Sequence, residues 1–303
     1  MATVTKKETC MTNFMYIFCL IVWGLNFIAV KIQGTPVSLE LSLTYRLVIT
    51  ALLFLMLAWF MKPQGKPQQQ DIPYIIVFGV CNFAFSYLAL YYATMWSSAA
   101  IVTLIFSLKV ILTPIALRIF LKEPLHRRVL IGGILGVMGV GVLIYPTLHS
   151  FSGLADLKGI LIALLGTVLT AIGDASSARN AKQHINPIYA NAIGFAVGSA
   201  VMCGIVWMQG QTIMIPTSIT YLSALLYLTI IASFLAWLFY LKLVERIGGA
   251  KSGYMVALFP VIGGIASVVI GESTISMYLV IGCLSSCIGA AIALGFKLKP
   301  ILR

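Results

Sequence analysis

The sequence predicts an all-α membrane protein of ten transmembrane helices, arranged as two inverted five-helix repeats. Three observations carry that expectation: an excess of apolar residues, their division into ten stretches of membrane-spanning length, and a lopsided placement of basic residues. Apolar residues make up 60% of the 303 and charged residues 9%. A soluble domain runs at roughly 45–50% and about 25%. No globule of this size can hide that much hydrocarbon from water, so a bilayer is its natural solvent.

A hydrocarbon core of about 30 Å takes roughly 20 apolar residues per helix. Ten such stretches follow one another at 14–33, 40–61, 73–95, 98–121, 128–146, 159–178, 188–208, 218–241, 252–270 and 277–296. Alternation of apolar and polar residues, the mark of a membrane strand, is missing. Backbone amides in lipid must be bonded within the protein, which leaves a helical bundle.

The first stretch lacks a small-residue cleavage site and continues through "WGLNFIAVKI", so it reads as a retained helix and not a signal peptide. Trp23 and Asn26 lie one turn apart in it. The second carries Glu40 and Arg46 close to one membrane face, where such side chains snorkel or tie loops. In the third, Phe83, Tyr87, Tyr91 and Thr94 share a face by their 4, 4, 3 spacing, with Asn82 beside them.

The fourth, "IVTLIFSLKVILTPIAL", places Lys109 in mid-membrane. A charge there costs roughly 2.5–3.5 kcal/mol on insertion scales. Either Lys109 pairs with a carboxylate or carbonyl and fastens two helices, or it faces a hydrated cavity and meets an anionic group. The fifth stretch is crowded with Gly132, Gly133, Gly136, Gly139 and Gly141, and the tenth answers with Gly282, Ser285, Ser286, Gly289 and Ala290. Small residues of this kind let helices approach closely, within the chain or across a dimer.

Asp174 is the acid well inside a stretch, the sixth. It either reaches interfacial water or Arg179, or pairs with Lys109, whose depth differs by roughly 7 Å. Ser233, Trp237 and Tyr240 share a face of the eighth stretch, and Tyr254 opens the ninth. Interfacial aromatic belts belong at helix ends, whereas Asn26, Asn82, Tyr87 and Trp237 fall away from them. Glu123 and Glu272 close the fourth and ninth stretches as helix-end anchors or gate residues.

The net charge of +12 is topological. With the N-terminus inside, sixteen lysines and arginines fall in inner connections and only Lys31 and Lys158 in outer ones. That bias puts both termini in the cytoplasm of a multi-pass protein of the cytoplasmic (inner) membrane. No nucleic-acid partner is implied. The six cysteines read as packing residues, the three scattered histidines make no metal site, and "GGAKSG" lacks phosphate-loop spacing. No cofactor is expected.

Sliding the chain on itself by 149 residues superposes Gly24 on Gly173, Tyr91 on Tyr240, Glu123 on Glu272 and Gly133 on Gly282. Two halves, 1–149 and 150–303, then hold five spans each. An odd number forces the second half to cross in the opposite sense, the plan of many secondary transporters. "IVWGLNFIAVKI" (21–32), "YLALYYATMWSSAAIVTLIF" (87–106) and "ALFPVIGGIASVVIGE" (257–272), set in ten spans and two halves, resemble the EamA family of the drug/metabolite transporter superfamily. One departure is that Pro260 falls on Ile111, with Pro114 three residues later, which puts the kink of the fourth span in question.

The resemblance implies a central cavity between the halves. Lys109, Trp23, Asn26, Asn82, Tyr87, Tyr91, Trp237, Tyr240 and Tyr254 are its candidate substrate-binding residues, and Asp174 with Lys109 its candidate coupling or charge pair. The expected activity is alternating-access carriage of a small organic metabolite, an amino acid or related amphiphilic zwitterion, by a monomer or homodimer in lipid. A larger zwitterion such as S-adenosylmethionine, or a quaternary amine held by cation–π contact, is the alternative cargo. An intramembrane enzyme would need a nucleophile–base pair or metal constellation at depth, and the sequence offers neither.

Overall fold

A computed structural model describes residues 6–149, 154–272 and 274–294. Among them the secondary structure is helical, with no strand. The first stretch is α1 (Lys6–Gly24) and α2 (Asn26–Gln33), which meet at Leu25. The second is α3 (Leu39–Met61), started by Ser38, whose Oγ accepts from Leu41 N at 3.1 Å. The third runs through α4 (Ile72–Gly79), a π-helical turn (Val80–Phe85) and α5 (Ser86–Trp96). The fourth is α6 (Ala99–Ser107) and α7 (Lys109–Leu121).

Single helices α8 (Arg127–His149), α9 (Leu154–Lys182) and α10 (Pro187–Met208) cover the fifth, sixth and seventh. The eighth is α11 (Ile219–Leu226), a second π-helical turn (Tyr227–Leu235) and α12 (Ala236–Ile247). The ninth is α13 (Gly249–Gly253), a 3-10 turn (Tyr254–Leu258) and α14 (Phe259–Val269), and the tenth is α15 (Met277–Leu294). Seven continuous segments among the described residues are long and apolar enough to cross a membrane, with Phe259–Val269 and Met277–Gly289 as shorter apolar helices.

Polarity runs from inside outward. Large apolar side chains cover the outside, from 37% exposed at Val168 to 85% at Ile219. Arg46, Lys109, Asp174 and Asn191 lie buried within. Only a bilayer accommodates that arrangement, so the chain is a multi-pass membrane protein.

Packing follows the 149-residue register. The two π-helical turns fall at equivalent places, since 80–85 maps to 229–234. Helix α3 packs on α10 and α8 on α15. Helix α1 leaves its own half to lie against α12 and α14, while α9 lies against α5 and α7. Gly24 and Gly173 sit at these crossings. A Cβ on Gly173 would lie 2.2 Å from Asn82 Nδ2, and one on Gly24 2.8 Å from Ile262. The small residues of α8 and α15 serve the chain's own packing, for a Cβ on Gly289 would meet the Gly132 carbonyl at 2.4 Å.

The prolines are out of register, yet the breaks are not. Helix α6 stops at Leu108, and the 3-10 turn of the ninth stretch maps to 105–109. Pro260 sits in the first turn of α14, where a missing N–H costs nothing. Just before the other break, Ser107 Oγ bonds back to the Leu104 carbonyl at 2.6 Å, which competes with the helical ladder.

Candidate functional site

A cavity of about 40 Å³ lies where the two halves meet. Six residues picked out in the sequence line it: Trp23, Asn26, Tyr87, Tyr91, Lys109 and Trp237. Phe27, Leu90, Phe106 and Phe259 complete an apolar wall, and Thr170 and Arg46 add polar groups. Walls therefore come from α1, α2, α3, α5, α6 and α7 of the first half and from α9, α12 and α14 of the second. A volume of this kind holds one or two waters, so a solute of several heavy atoms requires the halves to separate.

The π-helical turns fix the walls. A π turn leaves a carbonyl outside the α-helical ladder, and Trp23 Nε1 donates to such a carbonyl, Ala232 O, at 2.8 Å. Trp237 Nε1, just past that turn, donates to Tyr87 Oη at 2.6 Å. Rings stack around this bond: Trp23 lies 5.2 Å from Trp237, and Phe83 packs edge-on to Trp237 at 4.8 Å.

Lys109 is the first residue of α7 and only 2% exposed. Its Nζ lies 2.8 Å from Asp174 Oδ2, which also accepts from Thr113 Oγ1 at 3.1 Å. Of the two readings open for Asp174, the pair is the one formed. Arg179 instead meets Asp71 at 2.5 Å. Lys109 thus touches the cavity as half of a neutral pair.

Arg46 corrects the sequence reading. Its head neither snorkels nor ties a loop; it is 1% exposed and points into the bundle. Nε donates to Ser233 Oγ at 2.8 Å, one terminal nitrogen to Tyr91 Oη at 3.3 Å and the other to Asn26 Oδ1 at 3.1 Å. The guanidinium lies 4.4 Å from the centre of the Tyr87 ring. Ser42, Arg46 and Thr50, all buried, form one polar face of α3 at a spacing of four. That ladder was the available signal, together with a depth of about 10 Å from the helix start.

Asn82 is not in the wall. It lies wholly buried against Gly173, and its amide has no hydrogen-bond partner among the described residues. Tyr240 stands one layer behind the cavity, its ring 5.0 Å from Trp23 and 5.5 Å from Lys109 Nζ. The side chain of Tyr254 lies outside the described residues, as do those of Lys6, Lys7, Lys297, Lys299 and Arg303.

Ion pairs join the halves at both ends of the bundle. Lys31, at the end of α2, meets Glu272 beyond α14 at 3.3 Å. Both carboxylate oxygens of Glu272 accept from Ala99 N, the first residue of α6, at 3.1 Å, and Ser267 Oγ adds a bond of 2.9 Å. At the opposite end Glu123, beyond α7, meets Lys182 at the end of α9 at 2.6 Å. This second pair borders a vestibule of about 370 Å³. The glutamates are 149 residues apart, and each reaches a lysine of the other half.

The profile of the EamA-like transporter family matches the chain twice, over residues 11–145 and 157–295. An uncharacterized transporter of Archaeoglobus fulgidus is 20% identical over 260 residues, covering 86% of this chain and 90% of that protein. One of Clostridium kluyveri is 20% identical over 224 residues, or 73% and 72%. A solved structure, described only as the crystal structure of a protein, shares the fold with a TM-score of 0.68 at 19% identity, over 93% of this chain and 96% of the other. A cavity walled by both halves and bridged at both ends is consistent with transport. The chain belongs to the EamA-like transporter family of the drug/metabolite transporter superfamily, and it is a transporter rather than an enzyme.

Proposed function

We propose that the protein is a secondary carrier of a small organic metabolite with a carboxylate, the broad class that includes amino acids and related amphiphiles. It works by alternating access at the cytoplasmic membrane. Ten spans cross the bilayer as two inverted halves, 1–149 and 150–303, with both termini in the cytoplasm. One observation carries the reading: a central cavity whose walls come from both halves, with an inter-half ion pair at each end.

The mechanism follows from that geometry. Lys31–Glu272 closes the outer face and Glu123–Lys182 the inner one. Rocking of one half against the other parts one pair while the other holds, so the cavity opens to one side at a time. Apolar walls replace water around the body of the solute, and the polar groups fix its orientation. S-adenosylmethionine and quaternary amines suit this cavity poorly, because Arg46 lines it and no carboxylate does among the described residues. The chain acts as a monomer or homodimer, with lipid and solute as its partners and no nucleic acid.

Counterflow tests the reading. Proteoliposomes preloaded with unlabelled solutes from a metabolite panel are given trace label outside. Saturable, transient accumulation without chemical change is expected for the cargo. Steady, non-saturable equilibration across the panel would mean a channel.

A further inference from the structure

We infer that Arg46, and not Lys109, anchors the cargo, and that the cargo is a net monoanionic carboxylate with an apolar body and no free ammonium. The inference rests on the carrier reading and narrows its substrate class.

Charge balance at the cavity supplies the argument. A guanidinium stays protonated under all ordinary conditions. Arg46 is 1% exposed, and its three hydrogen-bond partners, Ser233, Tyr91 and Asn26, are all neutral. No carboxylate lies within ion-pair distance of it among the described residues. Contact with the Tyr87 ring eases such a charge only in part. Five N–H donors are present in arginine, and three are committed here, which leaves one on each terminal nitrogen. That pair of donors matches the two oxygens of a carboxylate.

Lys109 contributes no net charge, because Asp174 sits 2.8 Å from it with both groups buried. The lining therefore sums to a single positive charge. An ammonium on the solute would find no acid on these walls. The aromatic rings that remain, Trp23, Phe27, Phe106 and Phe259 among them, suit hydrocarbon. A purely structural arginine, tying α3 to its neighbours, would make the same three bonds, but its replacement by a neutral side chain in a folded protein would then leave the binding of acids unchanged.

The test keeps the apolar body fixed within each of two series and varies the charged groups on it. The full-length protein, purified in detergent, is melted in the presence of 3-phenylpropionate, phenylalanine or phenethylamine, and again with 4-methylpentanoate, leucine or isoamylamine. Binding to the native state raises the melting temperature with concentration. Either acid is expected to half-saturate at about tenfold lower concentration than its amino acid, with no shift from the amines. Arg46→Met should abolish the acid's shift, and Arg46→Lys should keep the acid-over-amine order at weaker affinity. Should Arg46→Met fail to fold, Arg46→Lys still reads the anchor, and the order of the three charge states in the unaltered protein reads the charge of the cargo.

Equal or stronger shifts from an amino acid or amine would overturn the inference, as would no shift from either acid, or a full acid shift in folded Arg46→Met. Phenyl phosphate binding more tightly than either acid would assign the site to phosphate esters and overturn it too. Binding is read here without transport. An acid that binds but shows no counterflow would count against the carrier and leave the anchor standing, whereas counterflow of an amine would do the reverse.

Discussion

Breaking the Lys109–Asp174 pair from one side should be far more damaging than removing it whole. The two groups lie 2.8 Å apart, each 2% exposed. At an effective dielectric of about 20 their attraction is about 6 kcal/mol. Taking the charges out of water costs several kcal/mol for each ion. The attraction and the desolvation nearly cancel, so the intact pair adds little net stability. Lys109→Met keeps the full desolvation of Asp174 and removes its cation, leaving it the neutral hydroxyls of Thr113 and Tyr240. Such one-sided breaks cost about 3–5 kcal/mol. Asp174→Leu strands the ammonium in the same way at the start of α7, where the positive end of the helix dipole makes matters worse.

The assay is a double-mutant cycle on detergent-purified protein, with unfolding followed by intrinsic fluorescence. Both single variants should lose most of their stability, and Lys109→Met with Asp174→Leu should recover to near the unaltered protein. Singles that unfold within about 1 kcal/mol of it would show that water screens the pair, and would refute the predicted cost of a one-sided break. Counterflow by the double variant adds a separate answer: recovered stability without transport makes the pair part of the coupling machinery, and recovery of both makes it a fastening.

Glu272→Ala should cost about 1.5–3 kcal/mol, since it removes charged acceptors from Lys31, Ala99 N and Ser267; Glu123→Ala should cost about 0–1 kcal/mol, since its pair is largely exposed. Thermal melting of the two variants side by side checks the order. Gly289→Ala drives a methyl against the Gly132 carbonyl; over-packing of about 1–3 kcal/mol should appear as a lower melting temperature without a change in half-saturation for cargo. Tyr87→Phe keeps the ring over Arg46 but removes the acceptor of Trp237 Nε1. A stability loss of about 1–3 kcal/mol is expected, along with a red-edge change in tryptophan fluorescence; an unchanged spectrum would mean Trp237 has another acceptor.

Much of the fold is legible because lipid enforces it. Each apolar stretch had to become helix, and among the described residues each falls on helical segments, seven of them continuous and apolar enough to cross a membrane. Facing is harder to read. The ladder Phe83, Tyr87, Tyr91, Thr94 assumes 3.6 residues per turn, but the chain carries a π-helical turn at Val80–Phe85. One extra residue in a turn rotates the helix before it by about 100° relative to the helix after it. Tyr87 and Tyr91 lie past the turn and reach the cavity, while Asn82 lies within it and turns toward Gly173. Arg46 escaped for a different reason. Distance from a helix end says whether a long side chain can reach water, not whether it does, and the Ser42–Arg46–Thr50 face carried the missing information. Pairing of Asp174 with Lys109 left no trace in sequence beyond a depth difference of roughly 7 Å that a lysine side chain can largely span, and Arg179, nearer along the chain, was taken by Asp71.

The two end pairs are alike in register but unequal in strength, and the inequality bears on which way the carrier opens. Lys31 and Glu272 have side chains 31% and 12% exposed, and the lysine also donates to the carbonyls of Thr94 and Ser97 at 3.1 Å. Parting them strands a carboxylate that otherwise caps α6. Lys182 and Glu123 are 53% and 30% exposed beside the vestibule, so water can replace each partner as they separate. Salt weakens an exposed surface pair of this kind, whereas the other is sheltered. On the carrier reading, the vestibule side opens at lower cost from the described form, and raising ionic strength favours that side further. Cysteine accessibility separates the two faces: with Ala178→Cys, which lines the vestibule and leaves the pair intact, and Ser97→Cys labelled by an impermeant maleimide in vesicles of either orientation, salt should speed labelling at 178 much more than at 97. Equal acceleration at both would mean that the pairs do not govern the two openings separately.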